Sequence, residues 1–229
     1  MQIVEHPSPN HGPRKDGAVP DMVVLHYTAM DSAEAALERL CDPEFEVSAH
    51  YMIAKSGALY RLVAEEQRAW HAGRARWGNV VDVNSRSIGI ELDNDGTEPF
   101  GDALIESLLA LLTDIVMRHA IRPERVVGHS DIAPDRKGDP GAMFPWERLV
   151  EAGFAVAVEP GYAGPWTGEA EARFRAAMAR VGFDTTRSTE TLLRALQLRH
   201  APMRLGCSPG YGDLALAEEL AAAYPCIDG

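Results

Sequence analysis

MVVLHYT, residues 22–28, is the stretch on which the reading of the fold turns. Its β-branched apolar run reads as a short buried strand, and His26 sits in the C-terminal half of that strand. Working outward, Asp31 with Glu34 three places on forms a capping-box signal for a helix over about 31–40, which Pro43 stops. AHYMIAKSGALYRLV at 49–63 splits around Lys55, Ser56 and Gly57 into two strand-like halves, the pattern of a β-hairpin. SIGIEL at 87–92 predicts another strand. Leu104, Ile105, Leu108, Leu111, Leu112, Ile115 and Val116 recur at helical spacing within 101–119, and the helix ends before Pro123. A strand over 125–128 then runs into the polar loop HSDIAPDRKGDPGAMFPW.

The composition shifts after about residue 155. VEPGYAGPW at 158–166, with two prolines and two glycines, reads as a linker. Beyond it every element is helical in pattern. Thr167 can cap a helix with Phe174, Met178 and Val181 inside and Gly182 as its terminator. Two more helices follow at 188–199 and 213–224, with Leu192, Leu196, Leu214 and Leu220 as core candidates. The expectation is an α/β protein: a mixed central β-sheet flanked by helices over 1–157, a linker over 158–166, and a small C-terminal three-helix domain over 167–229.

Composition narrows the function. A formal net charge of −12 repels phosphate backbones, so no nucleic-acid partner is expected. No apolar run approaches the ~20 residues that span a bilayer. The leader MQIVEHPSPNHGPRKDG is not a secretory signal, which makes the cytoplasm the expected location, with periplasm or cell envelope the alternative if a leader has been removed. Three cysteines, Cys41, Cys207 and Cys226, have no C-x-x-C spacing and read as idle thiols in a reducing compartment.

Chemistry begins with the histidines. His6 and His11 lie in the polar leader, while His119 and His200 fall near helix ends, where an imidazolium suits the helix dipole. His26 and His129 differ, because each occupies or ends an apolar strand and points toward the rim of a sheet. A catalytic zinc takes three ligands from neutral histidine and carboxylate and keeps one position open. The loop after His129 offers Asp131, Asp135 and Asp139, and charge alone does not choose among them. Glu91, at the end of SIGIEL, could act as a general base once burial raises its pKa. Lys137, two residues before Asp139, could bind a developing oxyanion.

With those residues in view, VVLHYTA (23–29), VSAHYMIAKSGALYRLV (47–63), AWHAG (69–73), NSRSIGIELDN (84–94) and VVGHSDIAPDRKGDPGAMFPW (126–146) together resemble the zinc-dependent N-acetylmuramoyl-L-alanine amidases and the related peptidoglycan-recognition proteins. The resemblance implies one zinc ion held by His26, His129 and Asp139, Glu91 as general base, and Lys137 as oxyanion stabiliser. It further implies that Tyr51 lines the cleft and that Trp70 and His71 belong to the wall of the substrate groove. The implied substrate is the amide between (anhydro-)N-acetylmuramic acid and L-alanine in peptidoglycan fragments or muropeptides, cut by a monomer. A non-catalytic muropeptide-recognition protein is the alternative. The helical tail resembles a peptidoglycan-binding module.

Overall fold

The computed structural model describes residues 2–161 and 166–228. The part of the expected linker at 162–165 lies outside the described residues. The chain order is β1 (Ile3–Glu5), β2 (His11–Pro13), β3 (Met22–Tyr27), α1 (Ala33–Cys41), β4 (Tyr51–Ile53), β5 (Leu59–Arg61), β6 (Gln67–Ala69), α2 (Val83–Arg86) and β7 (Ser87–Leu92). It continues through α3 (Asp102–His119), β8 (Val126–Gly128), α4 (His129–Ile132), α5 (Trp146–Glu151), α6 (Gly168–Val181), α7 (Thr189–His200) and α8 (Tyr211–Ala223).

Six strands form one mixed sheet in the order β1-β5-β4-β7-β3-β8. The β4–β5 pair is the expected antiparallel hairpin, and β3 runs parallel to both β7 and β8. A separate antiparallel ribbon joins β2 to β6. The α/β expectation, a mixed sheet flanked by helices, therefore holds. No helix among the described residues is long and apolar enough to cross a membrane.

The strands alternate faces with period two, and the two faces meet different partners. Val23 and Leu25 of β3, with Ile88, Ile90 and Leu92 of β7, pack against Leu104, Ile105, Leu108, Leu111 and Leu112 of α3. Met22 and Val24 of β3 and Val127 of β8 belong instead to the buried cluster that contains Phe174, Leu192, Leu196 and Leu214 of the C-terminal helices. One apolar core thus runs from the sheet into α6, α7 and α8.

The helix ends follow their residues, with one difference from expectation. Thr167 caps α6 by accepting from the Ala170 N–H at 3.4 Å, and Gly182 ends it at a φ of 125°. The first helix is capped by Ser32 rather than Asp31: the Ser32 hydroxyl accepts from the Ala35 N–H at 3.2 Å. Ser32 has the extended backbone an N-cap requires, so the helix opens at Ala33.

Candidate metal centre

Parallel pairing of β3 with β7 places His26 directly opposite Glu91 in register, so both side chains leave the same face of the sheet. β8 ends at Gly128, and His129 opens the short helix that follows it. The loop then returns so that the Ser130 N–H donates to the Asp139 carbonyl at 2.9 Å. Gly128 permits that return, because a Cβ there would stand 2.7 Å from Cδ of Pro140.

Three donor atoms converge as a result. His26 Nδ1 lies 2.9 Å from His129 Nδ1, and each lies 3.0 Å from Asp139 Oδ2. All three residues are buried. Tetrahedral ligands of a zinc ion stand about 3.4 Å apart, so the cluster is close to the span such an ion needs. Burial, reinforced by His129, lowers the His26 pKa to about 4, which leaves the ring neutral. Burial also works against the Asp139 charge, but the two imidazoles facing its Oδ2 outweigh it and hold the carboxyl below its ordinary range. Neutral imidazole and ionised carboxylate are the states in which these side chains bind metal, so the residues present fit a divalent cation.

The choice among the three loop aspartates is now physical. Asp131 is paired with Arg199, and Asp135 lies 2.9 Å from Arg187. Asp139 faces the two histidines instead.

A cleft of about 380 Å³ opens over the triad, lined among others by Trp70, Glu91, Arg136 and Lys137. Glu91 Oε2 is buried and accepts no hydrogen bond among the described residues. Burial first, and the Asp139 charge second, push its carboxyl well above the ordinary range, while Lys137 pulls the other way. Lys137 is half-buried at the cleft, its backbone N–H held by the Ala133 carbonyl at 3.0 Å.

Of the three expected substrate contacts, Trp70 and His71 stand at the cleft wall and Tyr51 does not. Tyr51 pairs in register with Ile90, which puts it on the α3 face of the sheet, away from the triad. There its hydroxyl donates to Glu65 at 2.7 Å, and burial with that bond pushes its pKa past the ordinary tyrosine range. His71 lies beneath the triad, with Nδ1 3.0 Å from His26 Nε2 and Nε2 3.1 Å from Ser87 Oγ. Neither ring nitrogen is free for a substrate. His200 is not the helix-end imidazolium expected either, because burial, aided by the adjacent Arg199, keeps it neutral. Sequence reasoning did not pick out Arg39 and Arg136, which line the cleft, because surface arginines carry no local signal of what they face.

The chain can be placed among known proteins on these grounds. Residues 16–142 match the family described as N-acetylmuramoyl-L-alanine amidase. The N-acetylmuramoyl-L-alanine amidase AmiD of Escherichia coli is 35% identical, with 89% of this chain and 83% of that protein covered. The 1,6-anhydro-N-acetylmuramyl-L-alanine amidase AmpD of the same organism is 33% identical, covering 62% of this chain and 87% of AmpD. The solved complex of E. coli AmiD with anhydro-N-acetylmuramic acid-L-Ala-D-gamma-Glu-L-Lys superposes with a TM-score of 0.80 at 32% identity, over 91% of this chain and 92% of that one. Sheet, cleft, donor triad and sequence agree, and the chain belongs to the N-acetylmuramoyl-L-alanine amidase family.

Proposed function

We propose that this protein is a zinc amidase that hydrolyses the amide joining N-acetylmuramic acid, in ordinary or 1,6-anhydro form, to L-alanine of the stem peptide. The observation that carries the reading is the juxtaposition of a buried His26–His129–Asp139 donor set with Glu91 and Lys137 in one cleft. A protein that only recognises muropeptides has no use for a half-buried carboxylate with one buried, unpartnered oxygen beside such a set, so this feature favours catalysis.

His26, His129 and Asp139 would hold the zinc. The chemistry it supplies when bound is Lewis-acid polarisation of the scissile carbonyl and acidification of water. Glu91 as carboxylate takes a proton from the attacking water as its oxygen bonds to the carbonyl carbon. The carbonyl π pair moves onto oxygen, where the Lys137 ammonium opposes the developing charge. When the C–N bond breaks, Glu91 returns its proton to the L-alanine nitrogen, leaving a free peptide amine and a lactyl carboxylic acid that gives up its own proton to solvent. Trp70 offers an apolar wall against which the substrate settles. The burial that raises the Glu91 pKa keeps the carboxyl basic enough to shuttle that proton.

The test is mass spectrometry of defined muropeptides before and after incubation with the zinc-loaded chain. The expected products are the free stem peptide and the intact sugar. Chelation should abolish the reaction, and added zinc should restore it. Muropeptides left whole by a fully zinc-loaded protein would make it a binder.

A further inference from the structure

Behind the triad runs a chain of hydrogen bonds that the reaction above does not use. The Ser87 hydroxyl donates to the Val83 carbonyl at 2.7 Å, and a hydroxyl has one proton to give. Its oxygen is therefore the acceptor toward His71 Nε2 at 3.1 Å, which places the His71 proton on Nε2 and leaves Nδ1 bare. His71 Nδ1 stands 3.0 Å from His26 Nε2. A neutral His26 thus donates from Nε2 and turns an unprotonated Nδ1 toward His129 and Asp139.

The same stretch serves the second histidine. The Ala72 carbonyl can only accept, and it lies 3.1 Å from His129 Nε2, so a neutral His129 also has its Nδ1 bare. Asn84 Oδ1 clamps the stretch by accepting the backbone N–H groups of His71 at 3.1 Å and Ala72 at 2.8 Å. Gly89 makes room for it, since a Cβ there would stand 2.4 Å from the His71 ring. His71, Ser87 and Asn84 are all buried, so water does not compete for these bonds.

We propose that His71 and Ser87 are positioning residues that lock His26 in the tautomer with Nδ1 free, and so set the affinity of the triad for its metal. The proposal rests on the zinc reading above. Were the Ser87 hydroxyl turned to donate to His71, each proton along the chain would move to the other nitrogen. His26 Nδ1 would then carry hydrogen, and the triad would lose a ligand.

The full-length chain tests this in two ways. Long-range proton–nitrogen NMR correlations of the metal-free protein at neutral pH should show His71 protonated at Nε2 and bare at Nδ1. A proton on His71 Nδ1 overturns the proposal without any mutation. Competition with a chromogenic chelator then gives zinc affinities. His71→Leu and Ser87→Ala should weaken zinc binding about 10- to 100-fold, the effect typical of removing a ligand's outer hydrogen bond. His71→Gln should recover much of the loss, because its amide can accept from His26 and donate to Ser87. A wild-type chain that binds no zinc retires the zinc reading and this proposal together. A wild type that binds zinc no better than His71→Leu retires the role of His71 and Ser87 alone.

Discussion

Glu91 carries the sharpest prediction at the scale of a single residue. Its carboxyl is pushed up by burial and by Asp139, and a zinc ion in the triad would draw it part of the way back down. A general base works only when deprotonated, so kcat/KM should rise with pH along an acid limb set above the ordinary carboxylate range of about 4.5. Glu91→Gln should keep its zinc and lose about 10²- to 10⁴-fold in turnover. Lys137→Ala should lower kcat by about 10²- to 10³-fold with little change in KM, since its contact strengthens only as the oxyanion forms. Wild-type turnover in either variant sinks that residue's role. How legible these residues are in the sequence varies for physical reasons. His26 and His129 show themselves by interrupting or ending apolar strands. Asp139 does not, because its distinction from Asp131 and Asp135 lies in Arg199 and Arg187, which are remote in the chain. Tyr51 misleads because a single step in register changes the face of the sheet. Ser87 and Asn84 carry no local signal, since their bonds to His71 exist only once the sheet has formed.

At the scale of elements, most of what the sequence predicts is borne out, because strands and helices are written in local periodicity. Which face an element covers is not local, and α7 shows why. Its Leu192 and Leu196 read as core residues, yet the polar link that fastens it to the sheet is Arg199. That side chain pairs with Asp131 of α4, donates to the Val126 carbonyl at 2.9 Å, and lies 4.2 Å over the ring of Trp146. The Asp131 carboxylate also accepts the Gly128 N–H at 2.7 Å, one residue before His129. Removing the guanidinium leaves a buried, uncompensated carboxylate, so Arg199→Ala should cost about 3–5 kcal/mol in urea unfolding. It should also loosen the loop that carries His129, which zinc affinity would register. A loss below about 1 kcal/mol, the size of an exposed ion pair, would show that the pair fastens nothing.

Across the whole molecule, burial of neutral histidines sets the response to acid. His26 and His50 are lowered to about 4 and about 3, and His71 and His200 also lie well below the ordinary 6.5, each chiefly through burial. The unfolded chain takes up protons as pH falls through about 6.5 while the folded chain does not, so these groups stabilise the fold fully above that pH. Their contribution drains away as pH falls toward the depressed values. Glu91 works in the opposite sense, but it is one carboxyl against four imidazoles. The thermal midpoint of the metal-free protein should therefore drop between about pH 7 and pH 5, above the range where ordinary carboxylates titrate. A flat profile across that interval would contradict the neutral assignments.

The last question at this scale is what α6, α7 and α8 are for. The sequence divides the chain at 158–166, but the core does not divide there: Met22, Val24 and Val127 of the sheet are buried in one cluster with Phe174, Leu196 and Leu214. We propose that the three helices brace the sheet face beneath the triad. Deleting residues after 160 would strip the cover from Met22, Val24 and Val127 and remove Arg199 from Asp131. Exposed apolar faces of this kind drive aggregation. The shortened chain should melt at lower temperature, bind a hydrophobic dye, and lose activity on soluble muropeptides as well as on intact sacculi. If the helices are only a wall anchor, the outcome separates cleanly. Activity on soluble fragments and the melting temperature would both survive the deletion, and only the attack on sacculi would fall.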